Sequence, residues 1–191
     1  MIDDKPIIKS STRILRPWEW YAIRDRLKPT VQLYCDAAMC TGMRGTELEI
    51  FLQHPEWFSA ARHVIDLPKG AIHKKTKQSA RTVLLSIDGV EAIKTLFAAS
   101  RKAREGKDRS NLRKELIAAT IEAGLDPKGI TPKMFRKTLI AWLVATIPEK
   151  DAYILMSIGH GSEVMQKHYL AAGFERRDVE DMRTYLKGWG E

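Results

Sequence analysis

The chain changes its hydrophobic period once, between residues 62 and 87. Arg62–Leu67 reads R-H-V-I-D-L and residues 80–86 read A-R-T-V-L-L-S, two runs rich in residues that favour strands. The intervening Pro68–Gly70 predicts a turn. Elsewhere apolar residues recur at helical spacing. The sequence therefore predicts a mainly α protein with one small antiparallel β-sheet, an α+β fold.

Most predicted helices begin at a proline suited to the first helical turn or at a residue suited to capping a helix N-terminus. The helix from Glu175 is predicted instead from its apolar stripe of Val179, Met182 and Leu186. We expect helices from Pro17, from Pro29 to Cys40, from Asp88, from Ser110 to Gly124, from Thr131, from Pro148 to Ile158 and from Glu175 to Lys187. Residues 1–16 are polar and show no such pattern. We expect them to form an irregular linker or arm.

Composition limits the class of protein and of partner. A chain of 191 residues with 44% hydrophobic residues can bury the core of one globular domain, and its formal net charge of +8 favours a polyanionic partner. No apolar run approaches the ~20 residues of a membrane span, and residues 1–11 lack the apolar core of a signal peptide. We therefore expect an intracellular protein that binds nucleic acid and no membrane.

Arg44 lies between two glycines in T-G-M-R-G-T-E-L, residues 41–48, just before an apolar helix. A turn that leads into a helix can bind an anion, and the fork of arginine donors matches phosphate oxygens. Glu47 is placed either to hold the arginine or to cap the helix. A solvated surface arginine is the alternative interpretation, and it is the commoner case for one arginine in a turn.

The segment around the predicted sheet turn carries a run of basic residues. They are Lys69, His73, Lys74, Lys75, Lys77 and Arg81. Such a run on a hairpin usually lies in solvent, but it could also reach into a DNA groove.

Lys133 and Arg136 share a face of the helix predicted from Thr131, near its positive end. The apolar residues of this helix, Phe135, Leu139, Trp142 and Leu143, lie mostly on the other side. Two cations at a positive helix end favour a bound anion. A bound phosphate and a solvated helix face are the two interpretations of this pair.

Residues 158–170 read I-G-H-G-S-E-V-M-Q-K-H-Y-L, so nine positions separate His160 from Tyr169. We interpret Tyr169 as a nucleophile that attacks a phosphate bound by the upstream cations. Nearby cations would lower the pKa of its phenol, ordinarily ~10. A buried tyrosine beside a surface histidine is the alternative. No acidic cluster suits a catalytic Mg²⁺, and Cys35 and Cys40 in one helix suggest no metal site, so we expect no metal and no cofactor.

Five motifs in this order resemble the catalytic domain of the tyrosine recombinases, or integrases. They are T-G-M-R-G-T-E-L, the basic hairpin with K-T-K and R-T-V-L-L, T-P-K-M-F-R-K-T, I-G-H-G and H-Y-L. The resemblance spans roughly Pro29 to Lys187. It is greatest to the integrases of archaeal viruses and plasmids, which can also have a lysine, here Lys133, at the first histidine of the H-x-x-R motif.

The resemblance implies a role for each matching residue. Arg44 and Arg136 would hold the nonbridging oxygens of the scissile phosphate. Lys75 would protonate the leaving 5′-oxygen, His160 would support the phosphate and the proton transfers, and Tyr169 would form a 3′-phosphotyrosyl bond. The catalytic set implied is Arg44, Lys75, Lys133, Arg136, His160 and Tyr169. Because a charged lysine at 133 cannot accept a proton, the base for Tyr169 stays open.

Lys74 and Lys77 remain alternatives to Lys75, because sequence does not determine the register of the hairpin. We expect them to contact DNA, together with Arg81 and Lys137. The resemblance also implies an organisation: residues 1–16 as a linker or arm, residues 17–191 as the catalytic domain, and the N-terminal core-binding domain of the family absent.

The implied activity is site-specific cleavage and rejoining of double-stranded DNA by a homotetramer. Two alternatives stay open. A type IB topoisomerase-like enzyme would use the same chemistry on one duplex. In a non-catalytic basic DNA-binding module, Tyr169 would have only a packing role.

Overall fold

The computed structural model describes residues 5–70, 80–99, 109–159 and 173–191. The helices within these ranges are α1 Pro17–Arg24, α2 Pro29–Thr41, α3 Gly45–Phe51, α4 Ile87–Ala98, α5 Arg109–Glu122, α6 Met134–Thr146, α7 Asp151–Ile158 and α8 Arg176–Tyr185. The strands are β1 Ile7–Lys9, β2 Thr12–Ile14, β3 Phe58–Ser59, β4 Val64–Leu67 and β5 Arg81–Leu84. Short 3₁₀ helices span Pro55–Trp57 and Pro148–Lys150. The predicted α+β class is confirmed.

Helix α6 is buried on most of its surface and packs against α2, α7, α8 and β2. Its aromatic residues connect these neighbours. Phe135 meets Trp20 of α1 edge to face with 5.6 Å between ring centroids, and the Trp142 indole N–H donates to the carbonyl of Leu15 at 2.8 Å. Because so much of its surface is enclosed, α6 holds its N-terminal turn in a defined position.

The predicted antiparallel sheet is present, with β4 between β3 and β5. In the β4–β5 pair Val64 lies opposite Leu84, and Leu67 lies opposite Arg81. Helix α7 packs against β5, and the Leu84 amide donates to Ser157 Oγ at 3.0 Å. The strand start at Arg81 is thereby brought to the end of α7.

The irregular structure predicted for residues 1–16 is wrong over β1 and β2, which pair as an antiparallel hairpin. Ile14 and Leu15 are fully buried, and the Arg13 amide donates to the carbonyl of Gly129 at 2.9 Å. These apolar and backbone contacts attach the segment to the domain. A hairpin of two three-residue strands is easily overlooked in a polar stretch.

Several predicted helix starts differ from the structure, among them that of α7, which begins at Asp151 after the 3₁₀ helix Pro148–Lys150. Ser86 rather than Asp88 caps α4, because its Oγ accepts from the Gly89 amide at 3.1 Å. Helix α6 begins at Met134, after a turn, and the Thr131 hydroxyl is buried without a hydrogen bond. Helix α5 begins at Arg109, so Ser110 lies inside it.

The C-terminal helix α8 follows residues 160–172 in the chain and is firmly docked. Its Met182 side chain is fully buried, and Tyr185 meets Trp142 edge to face at 5.3 Å. Asp178 forms a buried ion pair with Arg16, just before α1. In the part of the chain that the structure describes, no helix has the length and apolar character needed to cross a membrane.

Candidate active site

The structure describes five of the ten residues predicted for the site. Arg44, Arg81, Lys133, Arg136 and Lys137 lie within the described ranges, and Lys74, Lys75, Lys77, His160 and Tyr169 lie outside them. The five come from separate parts of the chain: the turn before α3, the start of β5 and the N-terminal end of α6.

Arg44 sits in extended backbone in the turn between α2 and α3. The turn depends on Gly42, which ends α2 with a left-handed φ of 58°. A Cβ on Gly42 would lie 2.9 Å from Cδ2 of Leu139, so both the backbone and the packing against α6 require glycine there. The Arg44 side chain is 48% exposed and accessible to an anion from solvent.

Glu47, whose side chain is fully buried, binds Arg44 through both carboxylate oxygens. Oε2 accepts from the Arg44 amide at 2.7 Å, and Oε1 accepts from Nη1 of the Arg44 guanidinium at 2.8 Å. The two roles considered for Glu47 from sequence, capping the helix and holding the arginine, are both present.

Arg81 donates to the same carboxylate. Its Nη2 lies 2.7 Å from Oε2 of Glu47, and its Nη1 donates to the carbonyl of Ile158 at 2.9 Å. Burial lowers the pKa of Arg81, and the negative charge of Glu47 opposes that effect. With its side chain only 5% exposed, Arg81 turns its guanidinium into the domain, a geometry that favours a structural role over the predicted DNA contact.

Arg136 connects the turn after α2 to the end of α7. Its Nη1 donates to the carbonyl of Gly42 at 2.8 Å, and its Nη2 donates to the carbonyl of Ile158 at 2.6 Å. The same Nη1 lies 4.0 Å from Oε2 of Glu47. Arg44 and Arg136, predicted to act on one phosphate, are thus arranged around one carboxylate.

The carbonyl of Ile158 accepts from both Arg81 and Arg136 at the negative end of the α7 dipole. Gly159 follows with a left-handed φ of 69°, and a Cβ there would lie 2.7 Å from Nη1 of Arg81. Position 159, the first glycine of I-G-H-G, therefore requires glycine for two reasons: its φ is left-handed, and Arg81 approaches it closely. His160 is the next residue in sequence.

Lys133 is exposed immediately before α6, and Lys137 lies one turn further along the same face. The ammonium of Lys137 donates to the carbonyl of Lys9 at 2.8 Å. Burial and then the positive charge of Lys133 lower the pKa of Lys137. The described contact of Lys137 is with β1, and its contact with DNA stays a prediction.

Three guanidinium groups around one buried carboxylate leave an excess of positive charge. Glu47 accepts hydrogen bonds from half-exposed Arg44 and from buried Arg81 and so orients both. Backbone carbonyls orient Arg136. Fixed, charged donors of this kind suit an anion that gains negative charge during a reaction. In the described ranges, no group of three or more His, Cys, Asp or Glu side chains could hold a metal ion.

Sequence reasoning missed the buried role of Arg81, although a signal for it exists. Side chains alternate between the two faces of a strand, so Arg81 shares its face with Val83. Val83 is fully buried, and Arg81 follows it into the interior. The carbonyls of Gly42 and Ile158 were also missed, because a backbone acceptor leaves no mark on residue identity.

The chain is similar in structure to the crystal structure of XerA recombinase, with a TM-score of 0.53 and 16% sequence identity. The similarity covers 82% of this chain and 62% of the XerA chain, so this protein spans less than two thirds of that chain's length. At this identity the likeness concerns the fold alone, which this chain shares with the matched part of the XerA chain. No protein-family model matches the sequence, and no curated protein matches it.

Proposed function

We propose that this protein is the catalytic domain of a tyrosine recombinase, which cleaves and rejoins duplex DNA through a 3′-phosphotyrosyl intermediate. The observation that carries the proposal is the arrangement of Arg44 and Arg136 around Glu47. These are the two arginines that the motifs assign to one phosphate. The recombinase fold, the net charge of +8 and the order of the five motifs agree with it.

In the proposed reaction a base takes the proton of the Tyr169 phenol, and the phenol oxygen attacks phosphorus. A P–O bond to the tyrosine forms, the P–O5′ bond breaks, and the leaving 5′-oxygen takes a proton from Lys75. The 5′-hydroxyl of a second strand then attacks the phosphotyrosyl ester and returns its proton to Lys75, while the Tyr169 phenolate leaves and takes its proton back from the base. Because the ester keeps the energy of the phosphodiester, rejoining needs no ATP.

The transition state carries more negative charge on its nonbridging oxygens than the ground state does. Arg44 and Arg136 would donate to those oxygens, and one preorganised donor in comparable sites is worth roughly 2.7–4 kcal/mol. Lys133, exposed directly before α6, would add positive charge on the same side as Arg136. His160 follows the turn that Arg81 and Arg136 hold, and it would support the phosphate.

Recombination joins two duplexes, so the proposal includes a homotetramer assembled on DNA, with each protomer supplying one Tyr169. It also places the protein inside the cell and, from the lysine at position 133, closest to the integrases of archaeal viruses and plasmids. Residues 17–191 would form the catalytic domain.

Trapping the covalent intermediate tests the proposal. A duplex nicked close to the cleavage site loses its short 5′-hydroxyl fragment after attack, so the protein–DNA ester accumulates and migrates as an adduct in a denaturing gel. Duplexes drawn from a randomised pool supply the site. Mass spectrometry should place the adduct on the peptide that contains Tyr169.

Tyr169→Phe should bind DNA normally and form no adduct, whereas Tyr153→Phe should form it normally. Tyr153 is a suitable control because it is 53% exposed on α7. Salt-dependent binding with no adduct from any duplex would instead indicate a non-catalytic DNA-binding module. Relaxation of supercoiled plasmid without a paired site would indicate a type IB topoisomerase.

A further inference from the structure

The β1–β2 hairpin has an exposed tip made of two serines in an unusual conformation. Lys9 pairs with Thr12, so Ser10 and Ser11 alone form the loop. Their φ angles are 46° and 59°, both left-handed. Turns of this kind favour Asn-Gly or Gly-Gly because a Cβ is disfavoured at positive φ. The serines therefore carry a conformational cost that glycine would avoid.

The base of the hairpin is held by the core. Arg13 donates from its amide to the carbonyl of Gly129, and its side chain forms a buried ion pair with Glu19. Two residues further on, the Leu15 amide donates to Thr138 Oγ1 of α6 at 3.0 Å. The tip consequently projects from a rigid base.

Lys137 connects the tip to the candidate active site. Its Nζ binds the carbonyl of Lys9, the residue directly before the turn. Lys133, one helical turn away, lies close enough to lower the pKa of Lys137, and Arg136 precedes Lys137 in the chain. The two exposed serines directly follow Lys9, whose carbonyl Lys137 holds, and Lys137 stands next to Arg136 and one turn from Lys133.

We propose that Ser10 and Ser11 bind the DNA backbone, donating from their hydroxyls to phosphates near the cleaved one, and that Lys137 is the positioning residue that holds this tip. The inference rests on the proposed function, because its partner is duplex DNA. Serine hydroxyls are common donors to phosphate oxygens. Left-handed non-glycine residues persist where the surrounding structure fixes them, and they cluster at functional sites.

The test compares the full chain with the variant Ser10→Gly/Ser11→Gly, using fluorescence anisotropy of a labelled random-sequence duplex over a series of salt concentrations. Two glycines retain the turn and remove both hydroxyls. The melting temperature should stay equal or rise. The Kd should increase at least about fivefold at every salt concentration. The salt slope should stay the same, because no cation has been lost.

Further variants separate a DNA contact from a structural effect. Ser11→Asp retains a residue that tolerates left-handed backbone but adds a negative charge, and it should weaken binding further than glycine does. Lys137→Met releases the tip, so adding the two glycines to it should have little additional effect. Lys94→Ala, which removes a cation paired with Glu91 on α4, should bind almost normally.

A twofold or smaller change in Kd for both the glycine and the aspartate variants, with unchanged melting, would overturn the inference. Such a result would leave the proposed function intact, because the parent chain would still bind DNA. Absence of salt-dependent binding by the parent chain would instead remove the proposed function itself.

Discussion

Oε2 of Glu47 accepts a hydrogen bond from Nη2 of Arg81 at 2.7 Å, and both side chains are almost completely removed from solvent. A buried ion pair contributes little compared with apolar residues of equal volume. Removing one partner is nevertheless strongly destabilising, because the other charge stays buried alone. Since Glu47 also holds Arg44, the stability of this pair and the geometry of the candidate active site are coupled.

Glu47→Gln should lower the free energy of unfolding by about 3 kcal/mol, because it leaves the Arg81 guanidinium buried without a counter-charge. Urea denaturation followed by circular dichroism measures this change. The control is Glu91→Gln, which breaks an ion pair between half-exposed Lys94 and Glu91 and should cost less than about 1 kcal/mol. Equal free energies of unfolding for the two variants would show that the negative charge of Glu47 does not stabilise the protein.

Arg81→Met should destabilise the protein but leave the salt dependence of DNA binding unchanged, because the guanidinium lies inside the domain. A residue that contacts a phosphate behaves differently, since losing one such cation lowers the slope of log K against log salt by about 0.9. Arg44→Met, at a half-exposed side chain, is the matched control and should lower the slope. If Arg81→Met instead lowers the slope of log K against log salt, Arg81 contacts DNA.

Gly159→Ala should impair both folding and cleavage. It forces a left-handed alanine and places a Cβ 2.7 Å from Nη1 of Arg81. Gly124→Ala separates these two effects, because Gly124 has a φ of 75° and a Cβ added there would have nothing within 4 Å. The control should lose about 1–2 kcal/mol of stability from backbone strain alone and retain cleavage. If both variants cleave alike, the approach of Arg81 to Gly159 does not influence the site.

Local signals were sufficient for much of the fold. Pro17 and Pro29 begin helices as predicted, because the preference of proline for the first turn depends only on its own ring. The sequence prediction began α6 at Thr131, but the helix begins at Met134. Several neighbouring residues there could end the preceding turn, so local signals do not determine the first helical residue. Tertiary contacts, here the burial of the Thr131 hydroxyl, decide between them.

Sequence motifs indicated the described residues of the candidate site, but not the contacts that connect them. Arg44 and Arg136 stand in recognisable motifs, and Glu47 was correctly placed beside Arg44. The link from Glu47 to Arg81 joins residues 34 positions apart, and the link from Arg136 to Gly42 joins residues 94 positions apart. Such pairings arise from how the elements pack, and no spacing in the sequence encodes them.

Arg44→Ala and Arg136→Ala should each reduce cleavage by two or more orders of magnitude, since loss of one donor costs ~2.7–4 kcal/mol in the transition state. Their stabilities should differ. Arg136 binds the carbonyls of Gly42 and Ile158 and is 12% exposed, whereas Arg44 is 48% exposed. Only Arg136→Ala should therefore melt at a clearly lower temperature.

Single-turnover cleavage at saturating DNA, measured well below both melting temperatures, tests the arginine prediction. Lys28→Ala, at an exposed lysine 3.9 Å from Glu115, serves as the control for loss of a surface cation. Near-normal cleavage by either arginine variant would make that arginine structural.

Lys75 can be tested as the proton donor through the leaving group. The prediction depends on chemistry alone, because Lys75 lies outside the described residues. If Lys75 protonates the 5′-oxygen, its loss matters only because that oxygen leaves poorly without a proton. A bridging sulfur at the same position leaves readily as a thiolate. Lys75→Ala should therefore cleave the sulfur substrate almost as fast as the parent does, while remaining slow on ordinary DNA.

Lys74→Ala and Lys77→Ala serve as matched controls, one residue before Lys75 and two residues after it. Each should lose a modest amount of binding and show no recovery with sulfur. If either control variant recovers cleavage with the sulfur substrate, that lysine is the proton donor and the register of the hairpin differs from the one assumed here. If none of the three recovers, the donor lies elsewhere. Lys133 is then the leading candidate, because it is exposed beside Arg136 at the start of α6.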